Sequence, residues 1–244
     1  MIFDIETAPL QIDELMDMCP PFDKTPYMNP GEFDPSTVKC GNIGGPDSEK
    51  GKAKIAEARK AHEDRVANLD KECADAEQAY WMAIKDRAAL SPTTGKVVAI
   101  GLVVDGDELL LIDSEQVMLF DFWQHVRPQL AKGGDIVGFN SNHFDIPFLI
   151  KRSWKLGIEV PACFTPTGFL RQNFVDLLDR WKCGDRGSSP IKLAALASFF
   201  GLDGKYQDLD GSLFWQLLEA DVETAKEYLR ADLRMTSEIY KRMR

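Results

Sequence analysis

Cysteine is scarce in this chain and shows no paired spacing. The 244 residues contain five cysteines, an odd number, without a CxxC pair. This usage argues against a disulfide framework and against a zinc site built from cysteine. We therefore expect reduced thiols and a cytoplasmic location. The histidines, His62, His125 and His143, show no metal-ligand spacing either.

Long hydrophobic runs are also lacking, and so is an excess of positive charge. No apolar stretch approaches the roughly 20 residues that span a bilayer. The chain is already acidic at Asp4 and does not open on a basic and then apolar pattern, so we expect neither a signal peptide nor a membrane segment. The net charge of −10 argues against binding long nucleic acid through charge alone. It leaves room for an enzyme that binds one strand end through metal ions and a local basic patch.

The apolar content of the chain is sufficient for one α/β domain with an insertion. Hydrophobic residues make up 44% and aromatic residues 10% of the sequence, which suits a single domain of this length. Residues 8–46 are rich in proline and glycine, so we expect an irregular segment with one short helix near residues 11–18. A loop of this length is uncommon unless it is functional or wraps in an ordered way over the protein.

The clearest helical pattern lies in residues 47–90. After Gly51 this stretch has no glycine, it has no proline, and apolar or small residues recur at steps of three and four. We expect one long amphipathic helix, or two with a bend near Asn68, as an insertion in the domain. The predicted inner face consists of Ile55, Ala58, His62, Val66, Leu69, Cys73, Ala76, Tyr80 and Ile84.

The middle of the chain has the pattern of a sheet. Residues 96–104 and 108–112 are apolar strands, and Asp105-Gly106 between them is a strong hairpin signal. Ser114 is expected to cap a helix, and residues 135–139 form the next strand. This order predicts a mixed sheet with helices on its faces.

The last third of the chain is mainly helical. One helix begins at Asp145 and ends at Gly157, and residues 174–178 form a short strand or the start of a helix. Ser189-Pro190 is expected to cap another helix, and Asp221 to cap the last one.

Acidic residues occur at three separate places that share one chemistry. In the first, the stretch from Ile2 to Thr7 alternates apolar and acidic residues, so Asp4 and Glu6 lie on one face of a strand. Adjacent carboxylates repel each other, and a hard divalent cation such as magnesium, which prefers oxygen ligands, offsets that repulsion. The alternative is an edge strand with a solvated acidic face.

The other two acidic places lie near the middle and the end of the chain. Asp145 follows a strand end, where an open α/β sheet presents its ligands; the alternative is a plain helix cap. Tyr228 and Asp232 are four residues apart on the last helix and therefore share a face. Their alternative is an aromatic core residue beside a solvated acid.

Taken in order, these motifs resemble a known family. Phe3–Thr7 resembles the first exonuclease motif of the DEDD superfamily of 3′–5′ exonucleases, Gly138–Leu149 resembles the second, and Tyr228–Asp232 resembles the third in its tyrosine form. Lys192–Ala197 is similar to the helix before the third motif in the proofreading domains of family B DNA polymerases. The likeness is closest to stand-alone predicted exonucleases of bacteria and phages that are related to those domains.

The resemblance implies a ribonuclease H-like α/β fold, with a mixed five-stranded sheet flanked by helices. A single domain would span residues 1–244, with its core in 1–7 and about 96–244, and an irregular loop plus helical insertion in about 8–95. Tyr228 would orient the attacking water, because the histidine of a related subtype is replaced here by Glu227. Two Mg²⁺ or Mn²⁺ ions would be carried by Asp4, Glu6, Asp145 and Asp232.

The implied activity is hydrolysis at the 3′ end of nucleic acid, with release of nucleoside 5′-monophosphates. Single-stranded DNA is the expected partner, ahead of RNA. Candidate substrate-binding residues are Thr7, Asn140, Phe144 and Lys192. Asn140 either binds the strand or fixes the loop before Asp145, and Phe144 either stacks on a base or packs in the core. A basic side, or else a solvated face, is formed by Lys151, Arg152, Lys155, Arg171, Arg180, Lys182, Arg186 and Lys192.

Two other functions remain open from the sequence. The fold could serve as an inert nucleic-acid-binding or scaffold protein, with the helical insertion as a partner arm. It could also serve as a structure-specific endonuclease, which would cut circular single strands internally. The sequence identifies no replication or repair partner and no contact to a 2′-hydroxyl.

Overall fold

The computed structural model describes residues 1–163, 168, 170–185, 187, 189, 191–202 and 213–243. The chain divides into two compact units, one formed by residues 1–11 with 85–244 and the other by residues 12–84. The first unit contains all three acidic motifs. That the whole chain works as one exonuclease domain with an insertion stays a prediction.

A mixed five-stranded sheet is the centre of the first unit. Its strands are β1 (Ile2–Pro9), β2 (Gly95–Val104), β3 (Asp107–Leu111), β4 (Ile136–Gly138) and β5 (Phe174–Asp176). They lie in the order β3-β2-β1-β4-β5. β1 is antiparallel to β2 and parallel to β4. The predicted fold class is confirmed, and the strand that carries the first motif is the central one.

Helices cover both faces of this sheet. Among the described residues, the helices of the first unit are α3 (Glu115–Ala131), α4 (Asp145–Lys155), α5 (Leu177–Lys182), α6 (Leu193–Phe199), α7 (Phe214–Ala220) and α8 (Val222–Arg242), whereas α1 (Ile12–Met18) and most of α2 (Glu49–Ala88) belong to the second unit. Phe3 and Ile5 share a core with Phe122 of α3 and Leu149 of α4. Ile2 packs instead with Leu233 of α8. The alternation of β1 therefore directs its acidic residues to the face covered by α8.

The hairpin between β2 and β3 forms as predicted. Asp105 and Gly106 have φ angles of 53° and 104°, so both central residues are left-handed. Two consecutive left-handed residues define the turn whose twist matches that of the flanking strands. The Asp-Gly pair thus explains the reversal locally.

Helix ends follow the predicted caps in part. Asp221 accepts the N–H groups of Glu223 and Thr224, as expected of an N-cap. Ser114 occupies the N-cap position of α3 without a capping hydrogen bond from its side chain. The predicted cap of α6 at Ser189-Pro190 is wrong, since the helix begins after Lys192, whose carbonyl accepts the N–H of Leu196. Pro190 itself lies outside the described residues.

The second unit consists of α1, most of α2 and the irregular segment between them. α2 is one continuous helix of 40 residues, about 60 Å long at 1.5 Å per residue, and the alternative of two helices is wrong. Residues of the predicted inner face are buried or half-buried along its length. Tyr80 donates to the carbonyl of Pro20 at 2.6 Å and His62 bonds to that of Gly31 at 3.0 Å. The proline-rich segment is therefore an ordered wrap over α2.

The helices that the structure describes lack the properties of membrane spans. Among the described residues, none combines the length and the apolar character that a membrane-spanning helix needs. The predicted absence of a membrane span agrees with that result for this part of the chain.

Candidate active site

Carboxylates from a strand and a distant helix meet on the α8 face of the sheet. Asp4 and Glu6 of β1 and Asp232 of α8 each place an oxygen within 4.8 Å of the others. Glu6 is 8% exposed, and the other two are half-buried. The alternative of a solvated edge strand is wrong, because β1 is central and paired on both sides.

A glycine lets α8 approach this strand closely. Gly101 of β2 is the pairing partner of Asp4. A Cβ atom at Gly101 would lie 2.8 Å from Cδ1 of Leu233 and 3.0 Å from Cγ of Leu229. The missing side chain leaves the space in which α8 brings Asp232 to the strand. Gly101 was not among the residues predicted from the sequence, although a glycine within a β-branched run marks a place where another element comes near.

Asp145 adds a fourth carboxylate to this group, from the side of β1 that pairs with β4. β4 pairs with β1 only at Ile2, and the N–H of Ile5 donates instead to Oδ1 of Asp145 at 3.2 Å. Asp145 lies in the first turn of α4, where Phe144 holds the N-cap position. Asp145 is 4% exposed. The plain helix-cap alternative for Asp145 is therefore wrong. We call Asp4, Glu6, Asp145 and Asp232 the acid cluster.

The acid cluster is electrostatically unfavourable without cations. Burial raises the pKa of Asp4 and of Glu6 well above the usual range, and repulsion by the neighbouring carboxylates raises both pKa values further. Burial also raises the pKa of Asp145 and of Asp232 to about 7, against the lowering effect of the Ile5 N–H and of the Tyr228 hydroxyl. Among the described residues, no positively charged side chain is one of the main causes of these pKa shifts.

This donor set fits hard divalent cations. Mg²⁺ and Mn²⁺ prefer carboxylate oxygens, and their charge offsets the repulsion among buried acids. A protein interior seldom tolerates several unpaired carboxylates, because burying an unpaired charge is costly. The chemistry of the four residues therefore matches a metal centre.

Tyr228 lies one helical turn before Asp232. Its hydroxyl hydrogen-bonds the Asp232 carboxylate, which lowers the pKa of that group. Its ring packs against Phe214 of α7 with centroids 5.8 Å apart. The two residues share a face of α8 as predicted, and the tyrosine has both a core contact and a polar contact.

A second group of possible ligands lies beside the loop that precedes α4. His143, Asp176 and Asp179 bring one ligand atom each to within 4.8 Å of the others, although sequence spacing had indicated no site at His143. Asp176 is 3% exposed. We call these three residues the loop cluster.

The loop cluster is already supplied with hydrogen-bond donors. Asp176 accepts the N–H groups of Asn140, Asn142 and Leu178, each at 2.9 Å. His143 Nε2 lies 3.0 Å from Asp179. Asp176 thereby holds the turn between β4 and α4. This role was not visible in the sequence, because Asn140 and Asn142 are more than 30 residues away from Asp176.

The candidate substrate-binding residues have different surroundings. Asn140 adopts a left-handed φ of 57°, and its backbone carbonyl accepts the N–H groups of His143 and Phe144, so its backbone fixes the loop before Asp145. Phe144 packs against the core, and its ring lies 5.6 Å from that of Phe148. Thr7 follows a register shift in β1, and Lys192 is exposed at the start of α6. Contact of these residues with substrate stays a prediction.

One member of the predicted basic side, Arg152, does not lie at the surface. Arg152 is 5% exposed and pairs with Glu115 through two hydrogen bonds of 2.8 and 2.7 Å. Its guanidinium therefore stabilises the contact between α3 and α4 and does not face solvent. Arg186 lies outside the described residues.

Comparisons with known proteins agree with this architecture. A family model described as RNase H superfamily matches residues 88–244. Among solved structures, the chain is similar to the family B DNA polymerase from the hyperthermophilic archaeon Pyrobaculum calidifontis, with 23% identity and a TM-score of 0.51. That match covers 65% of this chain and 23% of the polymerase chain, and it shows the fold alone. A search of curated proteins found no match.

Proposed function

This chain belongs to the RNase H superfamily, and from that premise we propose that it is a metal-dependent 3′–5′ exonuclease of the tyrosine DEDD type. Membership of the superfamily supports nuclease activity. The observation that carries the finer proposal is the convergence of four acidic side chains from β1, α4 and α8 at one place. These three elements hold the three motifs in the expected order.

The acid cluster is proposed to hold two divalent cations, Mg²⁺ or Mn²⁺. When bound, such ions supply positive charge next to a phosphodiester and make water a stronger nucleophile at neutral pH. Asp4, Glu6, Asp145 and Asp232 must all be ionised to act as ligands, so binding is coupled to proton release.

We propose that Tyr228 orients the attacking water and does not abstract a proton from it. A phenol has a pKa near 10, so this hydroxyl remains protonated at neutral pH. In the free protein it donates to Asp232 and holds that carboxylate towards β1. In the proposed reaction, a water oxygen bonds to phosphorus, the bond to the 3′ oxygen breaks, and a nucleoside 5′-monophosphate is released. A hydroxyl fixed beside Asp232 is suitably placed to orient that water.

The proposed substrate is the 3′ end of single-stranded DNA. Support comes from the motif resemblance and from the structural similarity to a family B DNA polymerase. The net charge of −10 also favours a protein that engages a short strand end over one that coats long nucleic acid.

End-labelled oligonucleotides test this proposal. With Mg²⁺ or Mn²⁺, a 5′-labelled DNA strand should give a ladder of products shortened from the 3′ end, and a circular strand should stay intact. A matched RNA strand should be degraded more slowly. A single internal cut would contradict the exonuclease proposal, and absence of manganese binding by calorimetry would favour an inert scaffold.

A further inference from the structure

A cleft lies next to the acid cluster and is not used by the function proposed above. It has a volume of about 340 Å³, within the range of small-ligand sites. The end of β1, the start of β2, the end of α2 and the outer side of α7 form its walls. Its lining includes Ala8, Leu10, Lys85, Lys96, Trp215 and Glu219.

The cleft lies beside the acid cluster, further along β1. Ala8 follows Glu6 by two positions on β1, about 7 Å along a strand. Val98, which also lines the cleft, adjoins the residue that pairs with Glu6. On the opposite wall, Trp215 is next to Phe214, whose ring contacts that of Tyr228. The nucleotide next to a strand end held at the acid cluster would therefore lie close to this cleft.

The chemistry of the lining suits a nucleotide. Lys85 and Lys96 bring two ammonium groups against the single carboxylate of Glu219, so the lining is positive in a protein of net charge −10. The Nζ atom of Lys85 lies 5.6 Å from the centroid of the Trp215 ring. The indole is half-buried and so keeps part of its surface open to a ligand. An aromatic ring beside basic side chains is the usual arrangement for binding single strands, because bases stack while phosphates pair with cations.

We propose that this cleft binds the nucleotide next to the scissile phosphate, with its base against Trp215 and its phosphate near Lys85 and Lys96. The proposal rests on the exonuclease function proposed above and names the part of the chain that grips the strand. Lys85 stands at the end of α2, in the last turn of that helix, which belongs to the first unit.

Strand binding measured without catalysis tests the proposal. The full chain carrying Asp4→Ala is titrated against a fluorescently labelled single-stranded DNA in EDTA, and anisotropy gives the affinity. Trp215→Ala in this background should weaken binding about 5- to 100-fold, the loss of one base stack. Trp215→Phe should recover most of it. Trp154→Ala is the matched control, since Trp154 is an exposed indole on α4 (64% exposed) and should leave the affinity unchanged.

The lysines provide an independent measurement. Lys85→Gln and Lys96→Gln should each reduce the slope of log affinity against log salt by about 0.7, the value for one phosphate contact on a single strand. This readout carries the proposal if Trp215→Ala does not fold, as judged by circular dichroism. Unchanged slopes in both lysine variants would overturn the proposed phosphate contact.

The results separate this inference from the exonuclease proposal. A shortened-product ladder from the unmodified chain, together with equal affinities of Trp215→Ala and Trp154→Ala, would overturn the cleft and leave the exonuclease. Trp215-dependent binding without any ladder would support the cleft and overturn the exonuclease. Absence of single-strand binding by the Asp4→Ala chain would overturn the cleft.

Discussion

The acid cluster and the loop cluster are both groups of close ligand atoms, yet they differ in what surrounds them. In the loop cluster, Asp176 accepts three backbone N–H groups and Asp179 lies against His143. In the acid cluster, the main donors are the Ile5 N–H and the Tyr228 hydroxyl. The number of hydrogen-bond donors thus distinguishes carboxylates that hold a loop from carboxylates whose charge is left for cations to offset. Proximity alone would have ranked the two groups equally.

The largest expected effect comes from removing a ligand of the acid cluster. Asp4→Ala should reduce nuclease activity by more than about 100-fold, beyond the usual effect of losing a residue that only supports a ligand. Its melting temperature in EDTA should not fall, because the change removes a buried, repelled charge. Gel analysis of a 5′-labelled strand measures the activity, and a thermal melt measures the melting temperature. Asp107→Ala, an exposed acid on β3, is the control, and full activity of Asp4→Ala would contradict the assignment.

The stability of the protein should change with pH in opposite directions with and without metal at the acid cluster. The pKa values of Asp145 and Asp232 are raised to about 7, whereas an unfolded chain has Asp pKa values near 4. The native metal-free protein therefore binds more protons between about pH 4 and 7, so its free energy of unfolding falls as pH rises through that window.

Metal binding should reverse this trend. Manganese must displace the protons of these carboxylates. For each proton displaced, manganese affinity falls about tenfold per pH unit below pH 7. The melting temperature with Mn²⁺ should therefore rise with pH. Thermal melts from pH 5 to 8, in EDTA and in Mn²⁺, measure both slopes. Parallel slopes in the two series would argue against metal at these carboxylates.

The loop cluster should act on metal binding indirectly. In Asp176→Asn, one carboxylate oxygen becomes an amide that cannot accept an N–H, which should cost about 1–3 kcal/mol of unfolding free energy. Because Asp176 holds the turn before Asp145, manganese affinity should also fall about tenfold. Denaturant unfolding and calorimetry measure these quantities, with Asp179→Asn as control. An unchanged manganese affinity would show that the turn does not position Asp145.

Tyr228→Phe should give a smaller change of a different kind. Loss of the hydroxyl should lower kcat by about tenfold, which corresponds to the net contribution of roughly one hydrogen bond, while manganese affinity stays similar. The pKa of Asp232 should rise because its donor is gone, so the acid limb of the pH–rate profile should shift upward. A full rate with an unshifted profile would show that the hydroxyl orients nothing.

The smallest effect is expected at His143. Its pair with Asp179 is largely exposed, and such pairs contribute about 0–1 kcal/mol. His143→Ala should leave both the nuclease rate and the number of bound manganese ions unchanged. A drop in metal stoichiometry by calorimetry would mean that the loop cluster binds a cation after all.

Features that depend on near neighbours in the chain follow from local sequence patterns. Period two in residues 2–7 set which face of β1 carries the acids, Asp105-Gly106 set the hairpin, and the spacing of Tyr228 and Asp232 put them on one face of α8. The inner face of α2 followed from steps of three and four. Each of these is a local rule of backbone geometry, which a single sequence states directly.

Which elements meet depends on the three-dimensional fold. Gly101 leaves space for α8, the Ile5 N–H that β4 does not pair donates to Asp145, and Asp176 fixes the turn before Asp145. Arg152 was assigned to a surface but pairs with Glu115 inside. These outcomes depend on contacts between residues far apart in the chain. Local periodicity specifies the face of an element and not the partner that covers it.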